Sequence, residues 1–154
     1  MTKKFNVRVY FLLVEGSRLL VSDELIRGKA YTKFPGGGLE FGEGTRDCCM
    51  REALEELGQP IHVGEHVYTT DFYIQSAFRP EDQVLSIYYF ATLTEPQAFR
   101  TSNIPFDFQQ FERDEESFRW VELSALAPDD FAFPADQHVV KLLPEAFKRC
   151  FPDV

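Results

Sequence analysis

Hydrophobic and polar positions along the chain change their spacing from one segment to the next, and six segments have the composition of strands. These segments are rich in aromatic and β-branched residues, which favour extended backbone. The first two are joined at Gly16 and Ser17, and the third is held extended because it runs into Pro35. The predicted strands are residues 5–15, 19–23, 31–34, 66–75, 84–94 and 118–122.

Residues 45–57 have the spacing of an amphipathic helix instead. Thr45 is a suitable N-cap, Asp47 lies in the first turn, and Gly58 stands where a helix usually ends. Because successive residues turn by about 100°, the helix has an apolar arc, which we expect to face the core, and an opposite arc of carboxylates. The apolar arc is Met50, Ala53, Leu54 and Leu57, and the acidic arc is Glu52, Glu55 and Glu56.

A second helix is predicted from about Ala135, with a kink or restart at Pro144. Strands that flank one helix and are followed by another predict an α/β fold, here an α/β/α sandwich with a mixed β-sheet. A chain of 154 residues that is 44% hydrophobic can bury a core of its own. We therefore expect a single domain over residues 1–154.

The acidic arc suggests a metal site. Exposed helix faces usually mix Glu with Lys or Arg, but Arg51 is the one basic residue beside these three glutamates. Two carboxylates about 4 Å apart repel by about 4 kcal/mol at an effective dielectric constant near 20. A hard cation such as Mg²⁺ would offset this repulsion, since it binds a few carboxylates together with phosphate oxygens of a substrate. A solvated outer face is the alternative.

A glycine-rich segment, which includes Gly36, Gly37 and Gly38, precedes the acidic helix. Glycine lets backbone groups approach a ligand closely, and the N-terminus of a helix favours anions. We expect these glycines to bind phosphate between the segment and the helix, rather than to form a hairpin or a loose turn.

Seven residues across this region match a known signature, so that the chain resembles the Nudix (MutT-like) hydrolases. The signature is Gly, five residues, Glu, seven residues, Arg-Glu, an aliphatic residue, any residue, Glu-Glu, any residue, Gly and an aliphatic residue. Ala53 and Gln59 occupy the two aliphatic positions imperfectly, and neither position carries chemistry. The matching residues are Gly37, Glu43, Arg51, Glu52, Glu55, Glu56 and Gly58.

The resemblance implies a Mg²⁺-dependent enzyme, with Mn²⁺ as a substitute ion. Such an enzyme cleaves the diphosphate linkage of a nucleoside diphosphate linked to a group X, by attack of water at phosphorus. Glu55 and Glu56 would be the main metal ligands, Glu52 a further ligand or the general base, and a carbonyl of residues 36–38 would complete the shell. Arg51 would orient a glutamate, unless it is an ordinary solvated arginine.

The long segment of residues 96–117 is a second candidate for function. Members of the family often place a further carboxylate in such a loop, and Glu115 or Glu116 would supply it here unless the loop is simply solvated. A segment of this length is often a lid or a binding loop. Its aromatic rings either stack on a nucleobase or pack onto the core, and they are Phe99, Phe106, Phe108 and Phe111.

Residues 74–77 lack the proline of ADP-ribose hydrolases and the tyrosine of diadenosine polyphosphate hydrolases. A nucleoside triphosphate or a nucleotide sugar remains as the substrate type.

The alternative function is a nucleotide-sensing module without turnover, although the signature is intact. An isomerase of the same fold uses a catalytic cysteine, but we interpret Cys48 and Cys49 as structural thiols. His62 and His66 lie in a strand-like region, which disfavours a zinc pair.

The net charge indicates which partners to expect, and the cysteine content indicates the cellular compartment. A net charge of −9 argues against binding of nucleic acid, which requires clustered Lys and Arg, so we expect a small nucleotide substrate. Three cysteines without a secretory signal predict reduced thiols in the cytoplasm. No apolar run is long enough to span a membrane, and a homodimer is left open.

Overall fold

The fold is built around its first strand, which pairs with other strands on both sides. The structure is a computed structural model and describes residues 2–154. Two short 3₁₀ turns, at Leu123–Ala125 and Pro128–Asp130, precede the last helix. In chain order the strands and α-helices are β1 (Phe5–Glu15), β2 (Arg18–Ile26), β3 (Lys29–Lys33), β4 (Gly36–Gly38), α1 (Thr45–Leu57), β5 (Ile61–Thr69), β6 (Gln83–Leu93), β7 (Glu115–Glu122) and α2 (Pro134–Cys150).

The strands form one mixed sheet. Its order is β3-β2-β1-β6-β5, with β4 paired to β1 and β7 paired to β2. The pair β1 and β6 is parallel, and the other pairs between these strands are antiparallel. The mixed sheet that the sequence predicted is thereby confirmed.

Side chains of β1 alternate between two hydrophobic clusters, because successive residues of a strand point to opposite faces of the sheet. Phe11 belongs to the cluster that contains Ala53 of α1, whereas Leu12 belongs to the cluster that contains Leu143 of α2. The sheet therefore lies between the two helices, as the predicted α/β/α sandwich requires. Within residues 2–154 no helix has the length and apolar character needed to cross a membrane.

The prediction of β5 was wrong at both ends. The strand starts at Ile61, although Pro60 and Gly64 resemble breaks in the sequence, and it stops at Thr69. Phe72 and Tyr73, whose aromatic character suggested a strand, are exposed in the loop that follows. The strands β2 and β7 are longer than predicted, and their pairing extends to Leu25 opposite Glu115.

Helix α2 runs without interruption through Pro144, so the predicted restart is wrong. Proline removes one backbone hydrogen bond from a helix, but the neighbouring turns are held by buried Leu143, Ala146 and Phe147. At the other end Pro134 occupies the first turn, where its missing N–H has no helical partner to lose.

Candidate active site

Helix α1 has the predicted limits, but its N-cap differs from the prediction. Gly44 is the N-cap, and the carboxylate of Asp47 accepts its N–H at 3.2 Å. Thr45 does not cap the helix because its hydroxyl is hydrogen-bonded to the hydroxyl of Tyr89 at 2.6 Å. Gly58 ends the helix in the left-handed conformation, as expected.

The buried face of α1 is rotated relative to the predicted core face. Met50 and Leu54 are 40% and 55% exposed, so two of the four apolar residues point away from the core. At about 100° per residue, Glu52 and Glu56 fall inside the buried arc and face the sheet. Burying acidic residues while exposing apolar ones breaks the usual pattern, as proteins do at functional sites. The buried residues of this arc are Cys48, Cys49, Ala53 and Leu57.

Arg51 links the signature glutamates to the glycine strand. Its Nε and Nη2 donate to both carboxylate oxygens of Glu43 at 2.9 and 2.8 Å, and Nη1 donates to Glu52 at 2.9 Å and to Glu55 at 3.2 Å. Nη2 also donates to the carbonyl of Gly38 at 2.9 Å. Hydrogen bonds from Arg51 lower the pKa of Glu43 to about 2. Arg51 is therefore an organising residue of the site and not a solvated helix arginine.

The glycine segment forms strand β4 against β1, where a loop was expected. A Cβ atom on Gly37 would overlap the carboxylate of Glu52, so this position needs glycine for Glu52 to pack against the backbone. A Cβ atom on Gly38 would meet only the guanidinium of Arg8, at 3.7 Å. The segment therefore brings bare backbone alongside the acidic face of α1.

Glu56 is the innermost of the three glutamates of the acidic arc. Burial raises its pKa to about 8; Lys33 lowers it, and Glu116 and Glu24 raise it further. Its Oε2 is buried and has no hydrogen-bond partner among the described residues. Burial, and then the charge of Glu24, raises the pKa of Glu116 to about 7. Partly buried Glu56 and Glu24 and the more exposed Glu116 are thus gathered around the ammonium of Lys33.

Three residues of this group were not predicted from the sequence. Glu24 of β2 accepts a hydrogen bond from Lys33 of β3 at 3.0 Å, and it lies opposite Glu116 of β7 in the register of the two strands. Arg8 of β1 donates to the hydroxyl of Tyr10 at 3.3 Å. A polar residue inside an otherwise apolar strand was the signal in the sequence that could have marked Glu24. The residues that lie beside Glu24, however, depend on the register of the strands.

The carboxylates have the chemistry that Mg²⁺ prefers, and the orphaned oxygen of Glu56 is suited to a cation. As the side chains are placed, however, residues 2–154 contain no group of three or more His, Cys, Asp or Glu that would hold a metal ion. Arg51 engages Glu52 and Glu55, and the Glu55 carboxylate is 57% exposed. The residues fit a divalent metal by type, with Glu55 still turned toward Arg51.

Two cavities meet at Glu56. The larger cavity, of about 400 Å³, extends from Glu52 and β4 to the aromatic rings of Phe78 and Phe133. The smaller cavity, of about 310 Å³, is enclosed largely by residues 99–118. Glu56 is part of the lining of both cavities, so a ligand held there can extend in two directions.

The aromatic residues of segment 96–117 are divided between the core and the surface. Phe99 packs on Phe118 and joins the cluster beneath α1. Phe106 contacts Phe108 with ring centroids 6.2 Å apart, and Phe108 contacts Phe111. None of these three rings lines either cavity, so the structure does not bring Phe106 or Phe108 to the site.

The remaining candidates from the sequence are two glutamates of the long segment and two cysteines of α1. Glu116 interacts with the charges of Glu24 and Glu52, whereas the oxygens of Glu115 accept hydrogen bonds from the backbone of Gln109 and the side chain of Gln110. Burial raises the pKa of Cys48 and Cys49 to about 12, which suits structural thiols and not nucleophiles.

Comparison with known proteins identifies the class. A family model for the NUDIX domain matches residues 3–143. The ORF135 protein of E. coli is 19% identical with a TM-score of 0.65, and the match covers 98% of this chain and 96% of that one. The MutT protein of Methanosarcina mazei Go1 is 19% identical with a TM-score of 0.65, covering 96% and 99%. A Nudix hydrolase of methicillin-resistant Staphylococcus aureus 252, described as the DNA mismatch repair protein MutT, is 25% identical with a TM-score of 0.59, covering 94% and 99%.

Since the family model covers most of the chain, the chain belongs to the NUDIX domain family and is a Nudix pyrophosphohydrolase. The fold class and the family predicted from the signature are both confirmed.

Proposed function

We propose that this chain is a Mg²⁺-dependent hydrolase that cleaves the diphosphate linkage of a nucleoside diphosphate linked to a group X, of the nucleoside triphosphate or nucleotide sugar type. The observation that carries the proposal is the position of Glu56. Its buried, unpartnered oxygen lies where two cavities meet, beside the signature residues and the bare backbone of β4.

Glu52, Glu55 and Glu56 would hold the metal, with Glu116 as the further carboxylate. A bound Mg²⁺ neutralises charge on the diphosphate and makes hydroxide available near neutral pH. Glu55 would hold the metal in place of its present contact with Arg51, and Arg51 would keep its bidentate contact with Glu43. A backbone carbonyl of Gly36, Gly37 or Gly38 would complete the shell.

The nucleoside would occupy the larger cavity. Phe78 is exposed there, and its ring lies 6.1 Å from that of Phe133, which offers an aromatic surface to a base. Arg8 and Lys33 line the same cavity as these rings and Glu52, and they can neutralise the phosphates. Their charges suit the diphosphate and place it next to the acidic face of α1.

Glu52 would act as a metal ligand or as the general base that accepts a proton from the attacking water. Arg51 holds Glu52 Oε1 at 2.9 Å, and the carboxylate packs against the backbone of Gly37. Two neighbours therefore fix its orientation before the substrate binds, which reduces the cost of reaching the transition state.

The experiment is a screen of nucleoside triphosphates and nucleotide sugars with Mg²⁺ or Mn²⁺, in which released products are treated with a phosphatase and phosphate is measured. We expect metal-dependent turnover of at least one of these compounds, abolished by EDTA. Nucleotide binding by calorimetry without turnover of any compound would contradict the enzyme and favour the sensing module.

A further inference from the structure

We infer that the smaller cavity receives a neutral, polyhydroxylated group X, so that nucleotide sugars and not nucleoside triphosphates are the substrate class. This inference rests on the proposed function. Among the described residues, Glu56 is the one lining residue that the smaller cavity shares with the cavity assigned to the nucleoside. A diphosphate held at Glu56 therefore directs the nucleoside to one side and X to the other.

The first argument is the set of free hydrogen-bonding groups in the smaller cavity. Thr101, Gln109 and Ser117 line it, and their side chains make no hydrogen bond to any residue within 2–154. Two hydroxyls and an amide can both donate and accept, which matches the hydroxyls of a sugar. Phe99 and Phe118 contribute rings to the same lining, and such rings suit the C–H face of a sugar.

The second argument is charge. Besides Glu56 and Glu116, which would hold the metal, Asp107 and Glu115 line this cavity, and Arg100 is the one cationic side chain among the described lining residues. Acidic groups repel a further phosphate, which a nucleoside triphosphate would bring as its X. A neutral sugar carries no such penalty. The larger cavity, which Arg8 and Lys33 line, is the better place for anionic groups.

The third argument is that the acidic wall is fixed by hydrogen bonds. Asp107 accepts the hydroxyl of Ser102 at 2.7 Å, and Glu115 accepts the backbone N–H of Gln109 at 2.7 Å. Asp23, fully buried in β2, accepts the backbone N–H of Phe106 at 3.1 Å and holds Arg119 at 2.9 Å. The segment that encloses the cavity is thus tied to the sheet before a ligand arrives.

The test compares three kinds of substrate for each of adenosine, guanosine and uridine: the diphosphate glucose ester, the diphosphate methyl ester and the triphosphate. The two esters have the same diphosphate diester and differ in the hydroxyls of X. For the preferred nucleoside we expect kcat/KM for the glucose ester to exceed both other values by about tenfold or more, the scale of one neutral hydrogen bond.

Three variants probe the wall of the smaller cavity. Thr101→Val and Gln109→Ala should each lower the ratio of kcat/KM for the glucose ester to that for the methyl ester by about tenfold. Asp107→Asn, which removes one negative charge, should raise the relative rate with the triphosphate. Thr94→Val, at an exposed threonine outside both cavities, is the matched control and should leave all ratios unchanged.

Equal kcat/KM for the glucose and methyl esters, or a preference for the triphosphate, would overturn the sugar assignment and leave the hydrolase standing. Equal losses for both esters in Thr101→Val and Gln109→Ala would also overturn it, since the side chains would then only support the fold. Gln109 is exposed, so Gln109→Ala remains informative if Thr101→Val fails to fold. Absence of turnover with all nine compounds would remove the proposed function as well.

Discussion

At the scale of single residues, the site depends on the absence of a side chain at Gly37, which lets a carboxylate pack against the backbone. The backbone of Gly37 lies against Glu52, and Arg51 holds the same carboxylate from the other side. The signature in the sequence identified all three residues. It did not reveal that Gly37 and Glu52 touch, because that contact depends on β4 pairing with β1.

We expect Gly37→Ala to displace the carboxylate of Glu52 and to lower kcat by roughly 10- to 100-fold, the cost of a displacement of about 1 Å at a reacting group. Gly38→Ala is the matched variant in the same strand, because its Cβ would lie 3.7 Å from the nearest atom of Arg8. Steady-state kinetics should show the larger loss for Gly37→Ala. Equal losses would mean that the backbone, and not Glu52, is what these changes disturb.

We also expect Glu52→Gln and Glu56→Gln each to lower kcat by about a hundredfold or more, because each removes a charge used in acid–base or electrostatic catalysis. Substrate binding should weaken less than turnover. Glu145→Gln, at an exposed glutamate of helix α2, is the control for the same chemical change. Turnover like that of the wild type in Glu52→Gln and Glu56→Gln would refute the assignment of the site.

At the scale of secondary structure, the limits of α1 followed from the sequence but its orientation did not. Periodicity assigned Met50 and Leu54 to the core because apolar residues are usually buried. The structure exposes both and turns Glu52 and Glu56 toward the sheet. The helix therefore turns an acidic arc inward in place of part of its apolar arc, and periodicity alone does not show which of two competing faces is turned inward.

Juxtaposition of strands explains the other residues that the sequence did not reveal. Glu24 and Glu116 are far apart in the chain and become neighbours because β2 and β7 pair in that register. Lys33 joins them through the pairing of β2 with β3. The glutamates of α1 were predictable because one helix carries them, whereas the strand residues depend on contacts distant in sequence.

The loop between β5 and β6 gives a prediction about the base. Phe78→Ala should weaken nucleotide binding by about 1–3 kcal/mol, the value of one stacking contact, and should raise KM accordingly. Phe106→Ala is the comparison, because Phe106 is also exposed but lines neither cavity. A larger rise in KM for Phe106→Ala would mean that segment 96–117, and not Phe78, binds the nucleobase.

At the scale of the whole molecule, carboxyl groups with raised pKa values make stability depend on pH. Burial raises the pKa of Asp136 to about 6, beside the raised values of about 7 for Glu116 and about 8 for Glu56. Carboxyl groups whose pKa is raised in the folded state stabilise the fold at pH values below their unfolded pKa values of 3.8 and 4.5. That contribution is lost as the pH rises through their folded pKa values of about 6, 7 and 8. Glu43 acts oppositely, since its contribution is lost as pH falls from 4.5 toward 2.

Without metal, the free energy of unfolding should therefore be highest at about pH 4, between the range where Glu43 loses its contribution and the range where the raised groups lose theirs, and should fall toward pH 8. Urea unfolding in EDTA at constant ionic strength, followed by circular dichroism, measures this profile. A free energy of unfolding that rises from pH 5 to pH 8 would show that these carboxyl groups are not held in a desolvated environment.

The most direct test of the metal site is the melting temperature of the wild type and of Glu56→Gln, measured at pH 8.5 and fixed ionic strength with EDTA or MgCl₂. At this pH Glu56 is largely ionised, so Glu56→Gln should melt higher than the wild type in EDTA. Mg²⁺ that binds only the folded wild type should stabilise it by about 2.7 kcal/mol at a hundredfold excess over Kd. Glu56→Gln should lose most of that stabilisation. If Mg²⁺ raises the melting temperature of both proteins equally, Glu56 does not bind the metal and the catalytic site proposed for this chain is wrong.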